Sequence, residues 1–151
     1  MKNIVIAALS ILLAASFPAS AKQRVQAAGG DCQMRIADGW VRLLPGGMPM
    51  HAGFARIENP CGKAVEIVAA TSPVYAEVEL HETRREAGVS RMRQIHALPV
   101  SAHGQTRLQP GGLHLMLMRP QREIRPGEPV VIRFKLADGR EVSGQFEARQ
   151  P

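Results

Sequence analysis

Short runs rich in Val, Ile, Leu and Phe alternate with turn signals along most of the chain. The turns are marked by Asp38-Gly39, Pro45-Gly46-Gly47, Asn59-Pro60, Ala87-Gly88, Pro110-Gly111-Gly112, Pro126-Gly127 and Asp138-Gly139. Between them the pattern predicts strands at 40–44, 52–58, 64–70, 75–83, 89–96, 106–108, 113–119, 130–136 and 142–148. No stretch of twelve residues shows a clean helical period. The pattern therefore predicts an all-β sandwich or barrel.

The predicted strand 75–83 shows how polar residues sit on this scaffold. Val78 and Leu80 share one face, whereas Glu77, Glu79 and His81 share the other, because side chains alternate along a strand. We expect the apolar face to enter the core. His81 is then expected to face outward or toward a rim.

A hairpin is predicted to follow directly. Ala87-Gly88 has the composition of a tight turn between this strand and the next. Pairing across that turn brings His81 close to Met92 and Arg93, within about one residue of register.

The first 21 residues have the pattern of a secretory signal peptide. Lys2 precedes an apolar run over 4–17, and Ala19-Ser20-Ala21 forms a small-residue cleavage site. A membrane anchor is the alternative, but the run is shorter than the ~20 residues that span a bilayer. We expect cleavage after Ala21, a flexible lead-in over 22–30, and a β-domain over 31–149 that is exported and has no membrane span.

Cys32 and Cys61 are the two cysteines of the chain. An even number of cysteines in an exported protein favours a disulfide, since thiols pair readily in an oxidising compartment. Metal binding is the alternative, but the two do not form a Cys-x-x-Cys pair. The expected disulfide ties the first strand to the loop after Asn59-Pro60.

The chain carries a formal net charge of +6, mostly from arginine. Nucleic-acid binding is disfavoured, because few aromatic residues are available to stack on bases and no basic helix is predicted. Four arginines lie around the predicted hairpin: Arg84, Arg85, Arg91 and Arg93. They form either a solubilising surface or a docking face for an acidic partner protein.

Two histidines and two methionines form the most informative pattern. They are His81, Met92, His114 and Met116, separated by ten, twenty-one and one residues. His114 and Met116 leave the same face of a strand. Two imidazoles and two thioethers make a soft, uncharged ligand set, which suits Cu(I) better than other common biological metals. Zinc prefers thiolate or carboxylate, and a blue-copper electron carrier needs a cysteine thiolate. The sequence shows no nucleophile paired with a positioned base, so it does not indicate an enzyme.

This spacing and its surroundings resemble the periplasmic copper chaperones of the PCuAC family. The similar segments are Gly39-Trp40-Val41-Arg42, Ala52-Gly53-Phe54, Ile57-Glu58-Asn59, Val78-Glu79-Leu80-His81-Glu82, Arg91-Met92-Arg93 and Pro110-Gly111-Gly112-Leu113-His114-Leu115-Met116-Leu117. The resemblance implies a cupredoxin-like or immunoglobulin-like Greek-key fold and Cu(I) binding at the four-residue motif. It also implies periplasmic delivery of copper toward the dinuclear copper centre of cytochrome c oxidase, in some members together with a Sco-type thiol protein. We expect a monomer.

Two other functions remain open from the sequence. The chain could sequester copper and buffer it without specific delivery, since this needs the same site. A structural β-sandwich without metal is the other alternative, which the spacing argues against.

Further methionines and one histidine are candidates for auxiliary metal binding: Met118, Met48, Met50 and His51. Met118 shares the face of Met116, and its alternative role is core packing. The other three follow Pro45-Gly46-Gly47, where a loop without function is the alternative. Glu82 beside His81 is a candidate partner for the imidazole, although alternation places it on the opposite face.

Overall fold

A computed structural model describes residues 32–45 and 47–151, and these residues form strands without a helix. The strands are β1 (Arg35–Arg42), β2 (Met50–Asn59), β3 (Val65–Ser72), β4 (Tyr75–Glu86), β5 (Val89–Gln94), β6 (Leu98–Val100), β7 (Gly104–Leu108), β8 (Leu113–Pro120), β9 (Pro129–Leu136) and β10 (Glu141–Arg149). The predicted all-β class is confirmed.

Seven of these strands close into a barrel. They follow the order β4-β8-β2-β1-β10-β9-β3, and β3 pairs back with β4. β1 and β10 are parallel, and the other neighbours in this ring are antiparallel. β5 extends the sheet beside β4, β6 lies beside β3, and β7 pairs with the second half of β2. Because this ring of strands closes, the fold is a barrel rather than an open sandwich.

The hydrophobic core fills the inside of this barrel. Leu115, Leu117 and Ile57 are fully buried there, together with Phe134 and Phe146, whose ring centroids are 6.3 Å apart. Successive residues alternate between the inside and the outside. The polar residues between these apolar positions therefore point away from the core.

The first strand differs from its prediction. Asp38-Gly39 was expected to be a turn, but it forms an irregularity inside β1, where the register with β2 shifts between Ala37 and Trp40. Asp38 has a φ of 55°, and a Cβ atom on Gly39 would lie 2.6 Å from the carbonyl oxygen of Gln145 on β10. A bulge with a small residue thus lets β10 approach closely. The short strand β6 was not predicted.

The predicted hairpin is present. Ala87 and Gly88 both have positive φ, at 50° and 82°, as a tight two-residue turn requires. The pairing of Glu86 with Val89 sets Thr83 opposite Met92 and His81 opposite Gln94. The observed register therefore agrees with the expected one to within one residue.

The predicted disulfide joins Cys32, just before β1, to Cys61, just after β2, with a Cα–Cα distance of 5.5 Å. The buried Asn59 holds the same loop. Its amide nitrogen donates to the carbonyl oxygens of Lys63 and Ser101 at 2.8 and 3.0 Å, and its side-chain oxygen accepts from the Cys61 amide.

The predicted signal peptide over 1–21 and the lead-in over 22–30 lie outside the described residues. Within the part of the chain that the structure describes, no helix has the length and apolar character needed to cross a membrane.

Replacing both Cys32 and Cys61 with serine should lower the free energy of unfolding. The disulfide spans 29 residues, and closing a loop of that size contributes roughly 3–4 kcal/mol in the chain-entropy model. Urea denaturation of the oxidised chain and the double variant measures the difference. An unchanged midpoint with an unchanged slope would contradict a stabilising role for the disulfide.

Candidate metal site

The histidine–methionine residues lie on one outward-facing surface of the sheet. His81 is on β4, Met92 on β5, and His114 and Met116 on β8. His81 and His114 are direct cross-strand partners, and their ring centroids are 5.9 Å apart. Met92 is opposite Thr83, two residues beyond His81 on β4. Residues directly opposite share a face, so all four side chains emerge on the side away from the core.

His114 contacts Met92 across the intervening strand. Its Nε2 atom lies 3.2 Å from the Met92 Sδ atom. Its Nδ1 atom lies 2.9 Å from the carbonyl oxygen of Gly112, which can only accept, so Nδ1 carries the hydrogen. Nε2 therefore presents a lone pair beside a thioether sulfur.

The environment of His114 favours its neutral form. Only 7% of the residue is exposed, and this burial lowers the pKa of the imidazole. The hydrogen bond to Gly112 opposes this effect, whereas His81 and Arg42 add to it through their charge. A neutral imidazole is the form that binds metals.

His81 is held by a carboxylate on its own strand. Its Nε2 atom lies 2.8 Å from Oε2 of Glu79, which points to the same face. Its Nδ1 atom is buried and has no hydrogen-bond partner among the described residues. A buried polar atom without a partner is unusual in a folded protein.

A depression in the surface is lined by three of the four predicted residues. These are Met92, His114 and Met116, together with Arg42 and Phe54 and some of their neighbours. His81 does not line it, but its ring lies next to that of His114. Met92 is 54% exposed, so the depression is open to solvent on the side of the hairpin.

The auxiliary candidates are divided between the two faces of β2. Met50 is the cross-strand partner of Met118, on the same outward face as Met116. Met48 lies in the preceding loop and is 45% exposed. His51 is buried on the core side, where its Nδ1 atom lies 2.7 Å from the Tyr75 hydroxyl oxygen. The structure therefore brings Met50 to Met118, whereas His51 turns inward to Tyr75 and is at the same time one of the residues that line the depression.

Glu82 lies on the face opposite to His81, as strand alternation predicted. It forms ion pairs with Arg84 and Arg93 at 3.0 and 2.8 Å. Glu79 contacts His81 instead. The period-two spacing of Glu79 and His81 was the available signal for this contact.

Arg42 was not predicted as part of the site. Its guanidinium carbon lies 5.2 Å from the centroid of the Phe54 ring, which in turn neighbours the His114 ring. Its Nε atom is buried and has no hydrogen-bond partner among the described residues. Arg42 belongs to a segment that resembles the PCuAC family, but its contact with Phe54 depends on the pairing of β1 with β2 and could not be inferred locally.

By strand alternation Arg84, Arg91 and Arg93 lie on the face of the hairpin opposite to Met92, whereas Arg85 shares its face. Arg91 lies 3.8 Å from a carboxylate oxygen of Glu86, and Arg84 and Arg93 share Glu82. With Arg85 included, the hairpin carries four guanidinium groups. The carboxylates in these ion pairs are those of Glu82 and Glu86. The hairpin therefore keeps a positive charge, although these arginines do not line the depression.

The donors present fit a soft, singly charged metal ion. Among the described residues, no group of three or more His, Cys, Asp or Glu side chains could hold a metal ion. A metal at this surface would therefore depend on the two thioethers as well as the imidazoles. The unpartnered Nδ1 of His81 and the lone pair on Nε2 of His114 would be the nitrogen donors to such a metal. Thioether and imidazole together favour Cu(I).

Comparison with known proteins identifies a family over most of the chain. The LpqE-like family model, provisionally described as a lipoprotein family, matches residues 34–148. The protein Lxx21020 of Leifsonia xyli subsp. xyli (strain CTCB07), provisionally named a lipoprotein, is 28% identical over 127 residues, which cover 83% of this chain and 74% of that protein.

Solved structures confirm the resemblance to PCuAC domains. The solution structure of CuI-DR1885 from Deinococcus radiodurans is 26% identical and has a TM-score of 0.63, covering 83% of this chain and 85% of that one. The copper-bound PCuAC domain from PmoF2 is 16% identical and has a TM-score of 0.65, covering 78% of this chain and 93% of that one. At that identity the PmoF2 domain shows the shared fold.

Acidification from above to below the ordinary imidazole pKa of 6.5 should destabilise the metal-free protein. Burial lowers the pKa of His51 and of His114 from the ordinary value of 6.5. As the pH falls through that value, the unfolded chain takes up protons that the folded chain resists, so the free energy of unfolding decreases.

Urea denaturation at several pH values measures this loss, and His51→Gln should reduce it. The exposed His96 provides a matched control, His96→Gln. A free energy of unfolding that rises on acidification over this range would contradict the prediction.

Proposed function

We propose that this chain, which belongs to the LpqE-like family, is an exported metallochaperone that carries one Cu(I) ion and passes it to an acceptor protein. The copper is cargo rather than a resident cofactor. Its proposed ligands are His81, Met92, His114 and Met116.

The contact between His114 and Met92 is the observation that carries this proposal. The two residues belong to strands that do not pair with each other, yet the Nε2 and Sδ atoms are 3.2 Å apart. The hydrogen bond to Gly112 leaves Nε2 free to bind a metal. A soft nitrogen–sulfur donor pair is thus assembled before metal binds, which reduces the cost of ordering the site.

The chemistry of the donors supports Cu(I) as the ion. Neutral imidazole and thioether add no charge, so the site keeps the single positive charge of Cu(I). The similar DR1885 structure is named as the CuI form, and the PmoF2 domain is named as copper-bound. Both names support copper as the cargo of this chain.

The position of Met92 supports delivery over sequestration. One proposed ligand is 54% exposed and belongs to β5, whose residues are all exposed. An acceptor's ligand can approach the ion from this side and replace the thioether. We propose the copper subunit of cytochrome c oxidase as the acceptor, reached directly or through a Sco-type thiol protein.

Export to the periplasm is part of the same proposal. The predicted leader, with cleavage after Ala21, supports it, and so does the provisional lipoprotein name of Lxx21020. The disulfide between Cys32 and Cys61 fits an oxidising compartment.

An anaerobic Cu(I) titration against a competing chelator tests the function. We expect one tightly bound Cu(I) per chain, with both nitrogen and sulfur ligands in X-ray absorption spectra. Weak binding without a defined stoichiometry, or oxygen-only ligation, would reject the proposed site.

Replacing Met92 or Met116 with leucine should greatly weaken Cu(I) binding and leave the fold intact. Leucine keeps the volume and apolar character but removes the sulfur. The loss should exceed the roughly 10–100-fold cost of removing a hydrogen-bonding partner of a ligand. Chelator competition measures it, with circular dichroism to check the fold. Met48→Leu is the control, because Met48 is exposed and lies in the loop before β2. Parent-like affinity in either ligand variant would contradict the assignment.

Changing Arg84, Arg91 and Arg93 to glutamine should slow copper transfer to an acidic acceptor. Positive charge on the hairpin that carries Met92 would speed encounter, and salt screens this effect. The measurement is the transfer rate to a metal-free oxidase copper domain at low and high salt. Arg133→Gln and Arg140→Gln, on β9 and in the turn before β10 respectively, provide controls. Transfer that is independent of salt and unchanged in the triple variant would leave the arginines without a role in docking.

A further inference from the structure

We propose that Glu79 is a positioning residue that holds His81 in the tautomer whose Nδ1 atom binds the metal. The inference rests on the proposed function and adds which ring nitrogen of His81 is the ligand. It also assigns a role to a carboxylate that the motif itself does not contain.

The hydrogen bond between the two side chains fixes the position of the proton. The Nε2 atom of His81 lies 2.8 Å from Oε2 of Glu79. A carboxylate accepts hydrogen bonds, so the neutral imidazole donates through Nε2–H. The lone pair then belongs to Nδ1, and a carboxylate partner makes that nitrogen a better donor to a metal.

The Nδ1 atom of His81 lacks another role. It is buried, and no described residue hydrogen-bonds to it. A buried acceptor without a partner costs free energy. A bound metal ion would satisfy it. In an imidazole ligand one ring nitrogen has a hydrogen-bond partner, and the other has none until the metal binds. His81 has this arrangement.

Glu79 differs from the other carboxylates near it in having no arginine partner among the described residues. Glu77, two residues earlier on the same face, pairs with Arg119 at 2.8 Å. Glu82 lies on the other face and pairs with Arg84 and Arg93. The ion pair recorded for Glu79 is the one with His81. Its carboxylate is thus committed to the imidazole.

The two histidines would consequently bind through different nitrogens. His114 donates Nδ1–H to Gly112 and presents Nε2, whereas His81 donates Nε2–H to Glu79 and presents Nδ1. Glu79 is also the cross-strand partner of Met116. Its negative charge therefore lies beside the proposed ligands and would attract a cation.

Long-range ¹H–¹⁵N correlation spectra of the histidine rings test the tautomer directly. We expect the metal-free chain to show the Nε2–H tautomer at His81 and the Nδ1–H tautomer at His114. Adding Ag(I), a redox-inert stand-in for Cu(I), should shift the Nδ1 resonance of His81 and the Nε2 resonance of His114.

Substitutions at Glu79 test the positioning. Glu79→Leu removes the acceptor, and Glu79→Gln keeps an acceptor oxygen but not the charge. Cu(I) affinity should fall roughly 10–100-fold in the leucine variant and less in the glutamine variant. The Nε2–H preference of His81 should disappear in the leucine variant. Glu77→Leu is the matched control and should alter neither quantity, while circular dichroism checks the fold.

Several results would overturn the inference while leaving the proposed function in place. These are ligation of Ag(I) through Nε2 of His81, an Nδ1–H tautomer in the metal-free chain, or equal Cu(I) affinity in Glu79→Leu and Glu77→Leu. Failure of the unchanged chain to bind Cu(I) would instead overturn both proposals.

Discussion

The antiparallel pairing of β4 with β8 is the constraint on which the candidate site depends. It sets Leu80 opposite Leu115 on the core side, and His81 opposite His114 on the outer side. A slip of one residue would turn the histidines into the barrel and the leucines toward solvent. Burial of the leucines therefore also determines where the imidazoles stand. The core and the site are two faces of one pair of strands.

Hydrogen bonds to the imidazoles then decide what this face can bind. The carbonyl oxygen of Gly112 accepts from Nδ1 of His114 at 2.9 Å and from the backbone amide of Thr83 at 3.0 Å. One oxygen thus ties β4 to the start of β8 and orients a ring. Together with Glu79 on the other histidine, it leaves one free lone pair on each imidazole. Such a surface can present one nitrogen donor from each ring to a soft cation.

The donors are divided between a well-connected and a poorly connected part of the fold. β4 and β8 each have barrel neighbours on both sides, whereas β5 pairs with β4 alone in the part of the chain that the structure describes. Every residue of β5 is exposed. Segments with few buried contacts open most easily. The barrel therefore holds the two imidazoles and Met116, while Met92 on the hairpin is the proposed ligand most able to move, as stepwise exchange of a metal would require.

Local patterns in the sequence determined much of this protein. Turn signals and period-two alternation predicted most strands, the outward face of His81, and the hairpin at Ala87-Gly88. The cysteine count predicted the disulfide, and the spacing of the histidines and methionines indicated the similarity to PCuAC domains. These features depend on neighbouring residues or on composition, so they can be inferred before the chain is folded.

Tertiary structure decided the features that depend on which strands meet. Pairing of β3 with β4 closes the barrel, and the approach of β10 turns Asp38-Gly39 into a bulge rather than a turn. The same kind of contact sends His51 inward to Tyr75 and sets Arg42 over Phe54. Such neighbours lie far apart in sequence, and no local period encodes them. Side-chain geometry decided that Glu79 rather than Glu82 is the partner of His81. Strand alternation predicts which face a side chain occupies, but it does not predict which group that side chain hydrogen-bonds to.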